Sequence, residues 1–286
     1  MTAVTATESL LPSPELIPRR RALAASRVAF ASLLLRDATV LRKTLKEFIP
    51  RTILQPFLLV FVFTFVFPKI GQGVGGGSAG GESEFSTVLV AGVVGLTIMF
   101  QGVQSVALPM VQEFGYTREI EDRVLAPLPI SMVAVEKAVW GALCGLFAAL
   151  IVFPIAAVVP ATEVHLHVNW LVLLTLMPLA CYMCGALGLT FGTRFDPRTV
   201  PLLFGIIVIP ITFLGCVYYT WSSLEAIRWL QVLVLLNPLV YMCEGFRAAL
   251  TTAPHMSLWA IYSAMIGFSV LFTWLGVRNF KRRVLS

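Results

Sequence analysis

Charge is scarce in this chain. Of its 286 residues only 13% are charged and 58% are hydrophobic, whereas about a quarter of the residues of ordinary soluble domains are charged. The mean hydropathy is +0.86. This composition excludes a single soluble domain.

The few charged residues leave six long stretches without charge. Each stretch is long enough, or nearly so, to cross a hydrocarbon core of about 30 Å as a helix. Their approximate limits are Arg51 and Lys69, Phe85 and Gln112, Lys137 and Glu163, Glu163 and Arg194, Thr199 and Leu224, and His255 and Arg278. Apolar runs such as Leu58 to Phe63 do not alternate with polar residues, which excludes the strands of a membrane barrel. The sequence therefore predicts an all-α membrane protein with six transmembrane helices.

Acidic residues are fewer than basic ones, and the net charge is +6. If six helices cross the membrane and the N-terminus is cytoplasmic, all but three of the 21 basic residues lie on the cytoplasmic side. The exceptions are Lys69, Arg228 and Arg247. Cytoplasmic loops carry an excess of Lys and Arg, so we expect a multi-pass protein of the cytoplasmic (inner) membrane with both termini in the cytoplasm. The positive charge is interpreted as an orientation signal and not as a nucleic-acid-binding surface.

The chain also lacks the motifs of common catalytic, metal and nucleotide sites. Cys181 and Cys184 have no second pair or nearby histidine that would complete a metal site. The glycine-rich segment from Pro68 to Ser86 lacks the GxxxxGK[ST] pattern and follows a predicted span, so we interpret it as a flexible linker. We expect no metal and no catalytic residue on this chain, and any energy from ATP must come from another subunit.

The N-terminal part divides into two segments. Residues 1–25, which are rich in proline and arginine, predict a disordered cytoplasmic tail. Residues 26–50 predict an amphipathic helix, because apolar residues recur at steps of three and four opposite Arg36, Lys43 and Glu47. We expect this helix to lie in the cytoplasmic membrane interface, and a soluble helix packed on a partner is the alternative. Residues 51–286 then form the six-span domain.

The densest charge follows the second predicted span. Between Arg118 and Leu128 the sequence predicts a short amphipathic helix on the cytoplasmic side. Ile120 and Val124 form its apolar face, which we expect to need a partner because a short isolated helix is marginal in water. A solvated loop helix is the alternative. The candidate coupling residues are Arg118, Glu119, Ile120, Arg123 and Val124.

The segment between the fifth and sixth predicted spans is too apolar for an ordinary external loop. Asn237-Pro238 breaks the apolar segment from Trp229 to Cys243, and the uninterrupted apolar part is too short to cross a membrane. This pattern predicts a re-entrant or interfacial hairpin that enters from outside. Glu244 and Arg247 are three residues apart, so we expect them to pair at the outer boundary, although simple anchoring at the interface is an alternative. The candidate gate residues are Asn237, Pro238, Tyr241, Glu244 and Arg247.

Three segments resemble the permease subunits of the ABC-2 family of ATP-binding-cassette exporters. An N-terminal amphipathic helix runs into "IPRTILQPFLLVFVFTFVF" (Ile49 to Phe67). The charged "REIEDRVLAPLPIS" (Arg118 to Ser131) resembles the family's cytoplasmic coupling region. The late "LLNPLVYMCEGFRAAL" (Leu235 to Leu250) is similar to the family's NP-x-x-Y-x-x-E-x-x-R pattern.

This resemblance implies a permease that forms a homodimer, binds two copies of a separate ATPase and moves a hydrophobic or amphiphilic substrate outward. A drug, a lipid or a lipid-linked glycan would fit. It implies that ATP and Mg²⁺ bind to the partner subunit and that this chain has no cofactor of its own, while membrane lipid is a further expected partner. Glycines such as Gly92 and Gly102 would allow the close helix approach of a dimer. Gln101, Gln104 and Ser105 of the second predicted span are candidate residues of the substrate pathway.

Two other functions compete with transport. A membrane-embedded enzyme acting on lipid or isoprenoid substrates would need convergent ionisable groups or metal ligands, and the six predicted spans contain almost none. A channel or a passive scaffold is the other alternative, and the sequence suggests no ring of charged residues that would form an ion filter. We therefore expect a transport subunit and not an enzyme.

Overall fold

The computed structural model describes residues 19–70, 79–115, 119–158, 167–195 and 204–285. These ranges are mainly helical and contain no strand. The α-helices are α1 (Arg19–Phe61), α2 (Ala79–Gly115), α3 (Glu119–Val124), α4 (Ile130–Val158), α5 (Trp170–Arg194), α6 (Ile209–Phe213), α7 (Arg228–Leu233), α8 (Pro238–Leu250) and α9 (Leu258–Leu285). A π-helical turn (Val62–Val66) and a last turn (Phe67–Lys69) continue α1, a second π-helical turn (Phe204–Val208) precedes α6, and 3₁₀ turns flank α7 at Trp221–Ile227 and Val234–Leu236.

Five helices in the described part of the chain are long and apolar enough to cross a membrane, namely α1, α2, α4, α5 and α9. The helical segments Trp221–Leu236 and Pro238–Leu250 pass the same test together, but they are bent by 102° at the break between them. If this bent pair counts as one span, the total is six. The predicted all-α membrane fold is confirmed at this level.

The N-terminal helix is longer than the sequence predicts. α1 begins at Arg19, within the segment predicted to be disordered, and it continues through Pro50 and Pro56. Proline inside a helix removes one backbone donor and usually kinks or breaks the helix, but neither proline ends α1. Residues 1–18 lie outside the described residues. The position of residues 26–50 in the membrane interface stays a prediction.

The fifth predicted span, from Thr199 to Leu224, is not a single helix. Residues 199–203 lie outside the described residues, and the described helix ends at Phe213. Cys216 has a φ of 53°, which a right-handed helix cannot contain. The helical part from Phe204 to Phe213 rises only about 15 Å, so the prediction of a helix continuing to Leu224 is wrong.

α5 is the centre of the helix bundle. It packs against α2, α4 and α9, and α2 also packs against α4 and α8. The close approach of α4 and α5 requires a glycine, because a Cβ at Gly185 would collide with the carbonyl oxygen of Ala138. Gly92 and Gly102 of α2 contact Val217 and Cys184 of the same chain. These two glycines therefore serve packing within one chain and give no support to a dimer contact.

Replacing Gly185 by valine should force α4 and α5 apart, since the added side chain has no space beside Ala138. Overpacking a well-packed core costs about 1–3 kcal/mol, so the midpoint of thermal unfolding of the detergent-purified chain should fall. Gly267→Val in α9 is the matched control, because no neighbouring atom lies within 4 Å of its added Cβ. Equal midpoints for the two variants would contradict this packing.

Candidate functional site

α3 is the short charged helix predicted after the second span, but it is shorter than expected. It covers Glu119–Val124, whereas the sequence predicts a helix over Arg118 to Leu128. Arg118 itself lies outside the described residues. After the helix the chain turns, with the Ala126 N–H donating to the Arg123 carbonyl over 3.3 Å, and Pro127 has no N–H with which to continue a helix.

The apolar face of α3 is covered by the chain itself. Ile120 is buried and packs in an apolar cluster with Leu33 of α1, Met110 of α2 and Val133 of α4. The expectation that the apolar face of α3 needs a separate partner is therefore wrong for Ile120, and Val124 is half-buried. By contrast Leu125, in the turn that follows α3, is 83% exposed.

Five buried charged side chains hold α3 against three long helices. This group, called the ion cluster, consists of Asp37 of α1, Glu113 of α2, Arg123 of α3, and Glu136 and Lys137 of α4. Arg123 Nη2 lies 2.7 Å from Asp37 Oδ1 and 3.1 Å from Glu113 Oε1. Lys137 Nζ lies 3.0 Å from Asp37 Oδ2 and 2.8 Å from Glu113 Oε1. Each cation thus bridges the same two carboxylates.

Arg123 keeps its charge in this buried position. Burial by itself lowers the pKa of Arg123, but its hydrogen bond with Asp37 and the negative charges of Glu113 and Glu136 raise that pKa above its ordinary value. Removing either cation would leave carboxylates buried without full compensation, which is strongly destabilising. The ion cluster therefore fixes α3 to its neighbours.

Glu136 is the least satisfied member of the ion cluster. Its Oε2 lies 3.9 Å from Arg123 Nη1, and neither carboxylate oxygen has a hydrogen-bond partner among the described residues. Of the five members, only Arg123 is among the candidate residues that the sequence predicts. The adjacent charges Glu136 and Lys137, near the start of an otherwise apolar helix, were a usable signal, because ionisable groups in such segments usually have partners.

Glu119 differs from Arg123 in its exposure. Its Oε2 lies 2.5 Å from Arg36 Nη2 of α1, and the two side chains are 42% and 43% exposed. Exposed ion pairs typically contribute about 0–1 kcal/mol to stability. Glu119 can therefore be replaced with little effect on folding, whereas Arg123 cannot.

A cavity of about 460 Å³ lies beside the ion cluster, among α1, α2 and α4. Its lining contains Glu119 and Arg123 of α3 together with Gln101, Gln104 and Ser105 of α2. The structure thus brings predicted coupling residues and all three predicted pathway residues to one cavity.

The cavity wall combines polar and apolar groups. Gln104 accepts a hydrogen bond from Arg51, and Gln101 accepts one from Thr52, so α1 and α2 are joined along this wall. Apolar surface comes from side chains on α1, α2 and α4, among them Leu41, Phe48, Leu108 and Trp140. Such a lining can contact both ends of an amphiphilic molecule.

The Asn237-Pro238 segment forms the break before α8. Asn237 caps α8, since its Oδ1 accepts from the Leu239 N–H over 3.0 Å, and Pro238 occupies the first turn. The Asn237 amide also donates to the Ile211 carbonyl of α6 over 2.6 Å. Tyr241 Oη donates to the Leu235 carbonyl over 3.1 Å, across the bend. Three of the five predicted gate residues therefore fix the bent geometry.

Glu244 and Arg247 form the pair that the sequence predicts. Arg247 Nη1 lies 2.7 Å from Glu244 Oε1. The two residues are only 1% and 0% exposed, so the pair lies inside the protein, while its position at the outer boundary of the membrane stays a prediction. Such burial does not fit side chains that merely anchor a helix at an interface.

This buried pair stabilises three irregular parts of the backbone. Arg247 Nη2 donates to the carbonyls of Cys216 and Val217, which lie where the helical part of the fifth segment has ended. Glu244 accepts from the N–H of Trp221 over 2.9 Å and from the N–H of Met256 over 3.0 Å. The pair therefore satisfies backbone groups before α7 and before α9.

The ion cluster and the α8 segment contact α2 at widely separated positions. Glu113 is close to the C-terminal end of α2, whereas the Gly92 carbonyl, in the N-terminal half of the helix, accepts from Cys243 Sγ of α8 over 3.8 Å. The 21 residues from Gly92 to Glu113 rise about 32 Å, which is close to the thickness of a hydrocarbon core.

Residues 29–251 match the family model of the ABC-2 type transporters. The chain belongs to this family and is a membrane transport permease. A curated relative is the inner membrane transport permease YadH of Escherichia coli (strain K12), which is 28% identical over 186 residues, or 64% of this chain and 70% of the relative. The permease of the same name from Shigella flexneri matches to the same extent.

Replacing Lys137 by methionine should destabilise the chain by about 3–5 kcal/mol, because Asp37 and Glu113 would then share only Arg123. Asp37→Asn combined with Lys137→Met should be more stable than Lys137→Met alone, since it removes a carboxylate together with the cation. Thermal unfolding of the detergent-purified chain measures both effects. Arg36→Met, in the exposed pair, is the control and should stay within about 1 kcal/mol of the unaltered chain. A double variant no more stable than Lys137→Met would contradict the pairing.

Proposed function

We propose that this chain is the transmembrane subunit of an ABC exporter, assembled as a homodimer with two copies of a separate ATPase in the cytoplasmic membrane. Membership of the ABC-2 family supports this proposal, as does the similarity to a permease named for the inner membrane. In this assembly ATP and Mg²⁺ bind to the ATPase subunits. The distribution of basic residues supports cytoplasmic termini.

The turn after α3 offers a contact for the ATPase. Leu125 is exposed at this turn, and Pro127 and Pro129 on either side of Leu128 are exposed as well. Proline restricts the backbone, so the turn presents Leu125 in a fixed position. Because Ile120 is already buried, Leu125, which is 83% exposed, is an apolar side chain of this turn that a partner can cover.

The ion cluster connects this contact to the cavity. A shift of α3 would pull Arg123 away from Asp37 and Glu113, and buried charges are costly to separate. α1 and α2 must therefore follow α3, and both helices line the cavity. The observation that carries the proposal is that the ion cluster joins α3 to α1 and α2, both of which line the cavity.

The cavity lining supports a hydrophobic or amphiphilic substrate. Gln101 and Gln104 can bind polar groups, while Phe48 and Trp140 offer apolar surface. A drug, a lipid or a lipid-linked glycan meets these requirements. At the other end of α2, the bend at Asn237 and the buried Glu244–Arg247 pair form a re-entrant external gate.

Leu125→Asp should weaken ATPase binding about tenfold or more, because burying a leucine side chain contributes about 1.5–3 kcal/mol. The measurements are co-purification of the ATPase and ATP-dependent efflux of a labelled amphiphile from proteoliposomes. Leu35→Asp, at an exposed position of α1 that does not line the cavity, is the matched control and should leave both unchanged. Normal binding and efflux in Leu125→Asp would contradict the coupling role. Turnover of a lipid by the chain without any ATPase would favour a membrane enzyme instead.

The orientation can be tested by labelling introduced cysteines, because all five native cysteines are buried. Glu225→Cys, in the exposed 3₁₀ turn before α7, should react with an impermeant maleimide added to intact cells. Lys281→Cys, at the exposed C-terminal end of α9, should react only after the membrane is permeabilised. Labelling of Glu225→Cys solely from the cytoplasm would refute the external hairpin.

A further inference from the structure

A long groove lies between α5 and α9, separate from the cavity beside the ion cluster. Its volume is about 1120 Å³, which exceeds the usual range of about 300–1,000 Å³ for small-molecule sites. The α9 residues that line it recur at steps of three and four from Ile266 to Leu285, so they form one face of the helix. None of the groove residues lines the cavity.

The apolar part of the groove has the length of one membrane leaflet. It contains Ile266, Val270, Trp274 and Val277, the first three of them exposed. From Ile266 to Val277 the helix rises about 17 Å. A hydrocarbon core is about 30 Å thick, so this distance is close to half of it.

Three cations follow directly after the apolar part. Arg278, Lys281 and Arg282 line the end of the groove, and none of them forms a salt bridge within the described residues. The Arg278 guanidinium lies 5.3 Å from the Trp274 ring centroid. Arg283, in contrast, is outside the groove and donates to the Phe195 carbonyl over 3.1 Å.

Neither the helix dipole nor a second copy of the chain accounts for the whole of this arrangement. Cations at the C-terminal end of a helix interact favourably with the helix dipole, but the dipole does not require a groove beside them. A second copy of this chain seated on the groove by twofold symmetry would bring the same three cations of both copies together. Such a contact places like charges opposite each other and is unfavourable.

We propose that this groove binds an anionic phospholipid of the adjacent leaflet. The acyl chains lie along Ile266, Val270 and Val277, and the phosphate group binds to Arg278, Lys281 and Arg282. Basic pockets between membrane helices attract anionic head groups in this way. The site depends neither on the ATPase nor on the transported substrate, so it goes beyond the proposed function.

Lys281→Gln combined with Arg282→Gln should weaken the binding of dioleoylphosphatidylglycerol about thirtyfold, since each cation near an anionic surface contributes roughly a fivefold factor. The affinity is measured by titrating this lipid into the detergent-purified full chain and counting bound lipids by native mass spectrometry. Arg42→Gln combined with Lys43→Gln removes the same charge from exposed positions of α1 and should leave this affinity unchanged. Dioleoylphosphatidylcholine, which has no net charge, should bind the unaltered chain much more weakly.

Val270→Trp tests the acyl part of the site while keeping all three cations. The larger side chain occupies part of the apolar section of the groove, so binding of dioleoylphosphatidylglycerol should weaken. Leu271→Trp is the matched control, because Leu271 is also exposed but does not line the groove.

Several outcomes would overturn the proposal. These are unchanged lipid binding in the Lys281/Arg282 double variant, equal loss in the α1 control, or equal binding of the two lipids. Displacement of the lipid by inorganic phosphate alone would indicate a free-anion site. A change in oligomeric mass of Val270→Trp without a change in bound lipid would assign the groove to a second copy.

Discussion

A charge buried in an apolar helical bundle needs a compensating partner, and this requirement positions the parts of the chain that are not long helices. α3 has only six residues, too few to be stable alone in water. Arg123 holds it, through two carboxylates that belong to α1 and α2. Arg247 likewise holds irregular backbone in place, because it pairs with Glu244 and donates to the backbone carbonyls of Cys216 and Val217.

α2 connects these two buried groups of charges. Glu113 is part of the ion cluster near the C-terminal end of α2, while Gly92 and Gly95 in its N-terminal half contact Val217 and residues of α8. α2 is almost completely buried along its apolar length, so it cannot shift without displacing its neighbours, since protein interiors are close-packed. A displacement of α3 can therefore reach the α8 segment through one continuous helix, without a separate series of side-chain contacts.

The five long helices could be predicted from the sequence because hydrophobic length is a local property. The Glu244–Arg247 pair could be predicted for the same reason, since the two residues are three positions apart on one helix. Asp37 could not, because its partners Arg123 and Lys137 lie 86 and 100 residues further along the chain. The break at Cys216 was also missed, since the side chain that satisfies its carbonyl is 31 residues away. The local hydrophobic pattern of a sequence gives no information about which distant residues pair.

The positive-inside rule counts all cytoplasmic Lys and Arg residues together, but in the structure these residues make different kinds of contact. Arg123 and Lys137 are buried and bound to carboxylates, so they contribute to the fold. Arg36 and Arg51 line the cavity beside α3 and pair with Glu119 and Gln104. Arg278, Lys281 and Arg282 line a different groove and have no acidic partner within the described residues. Because the cavity and the groove share no residue, the substrate proposed for the cavity and the lipid proposed for the groove would not compete for side chains.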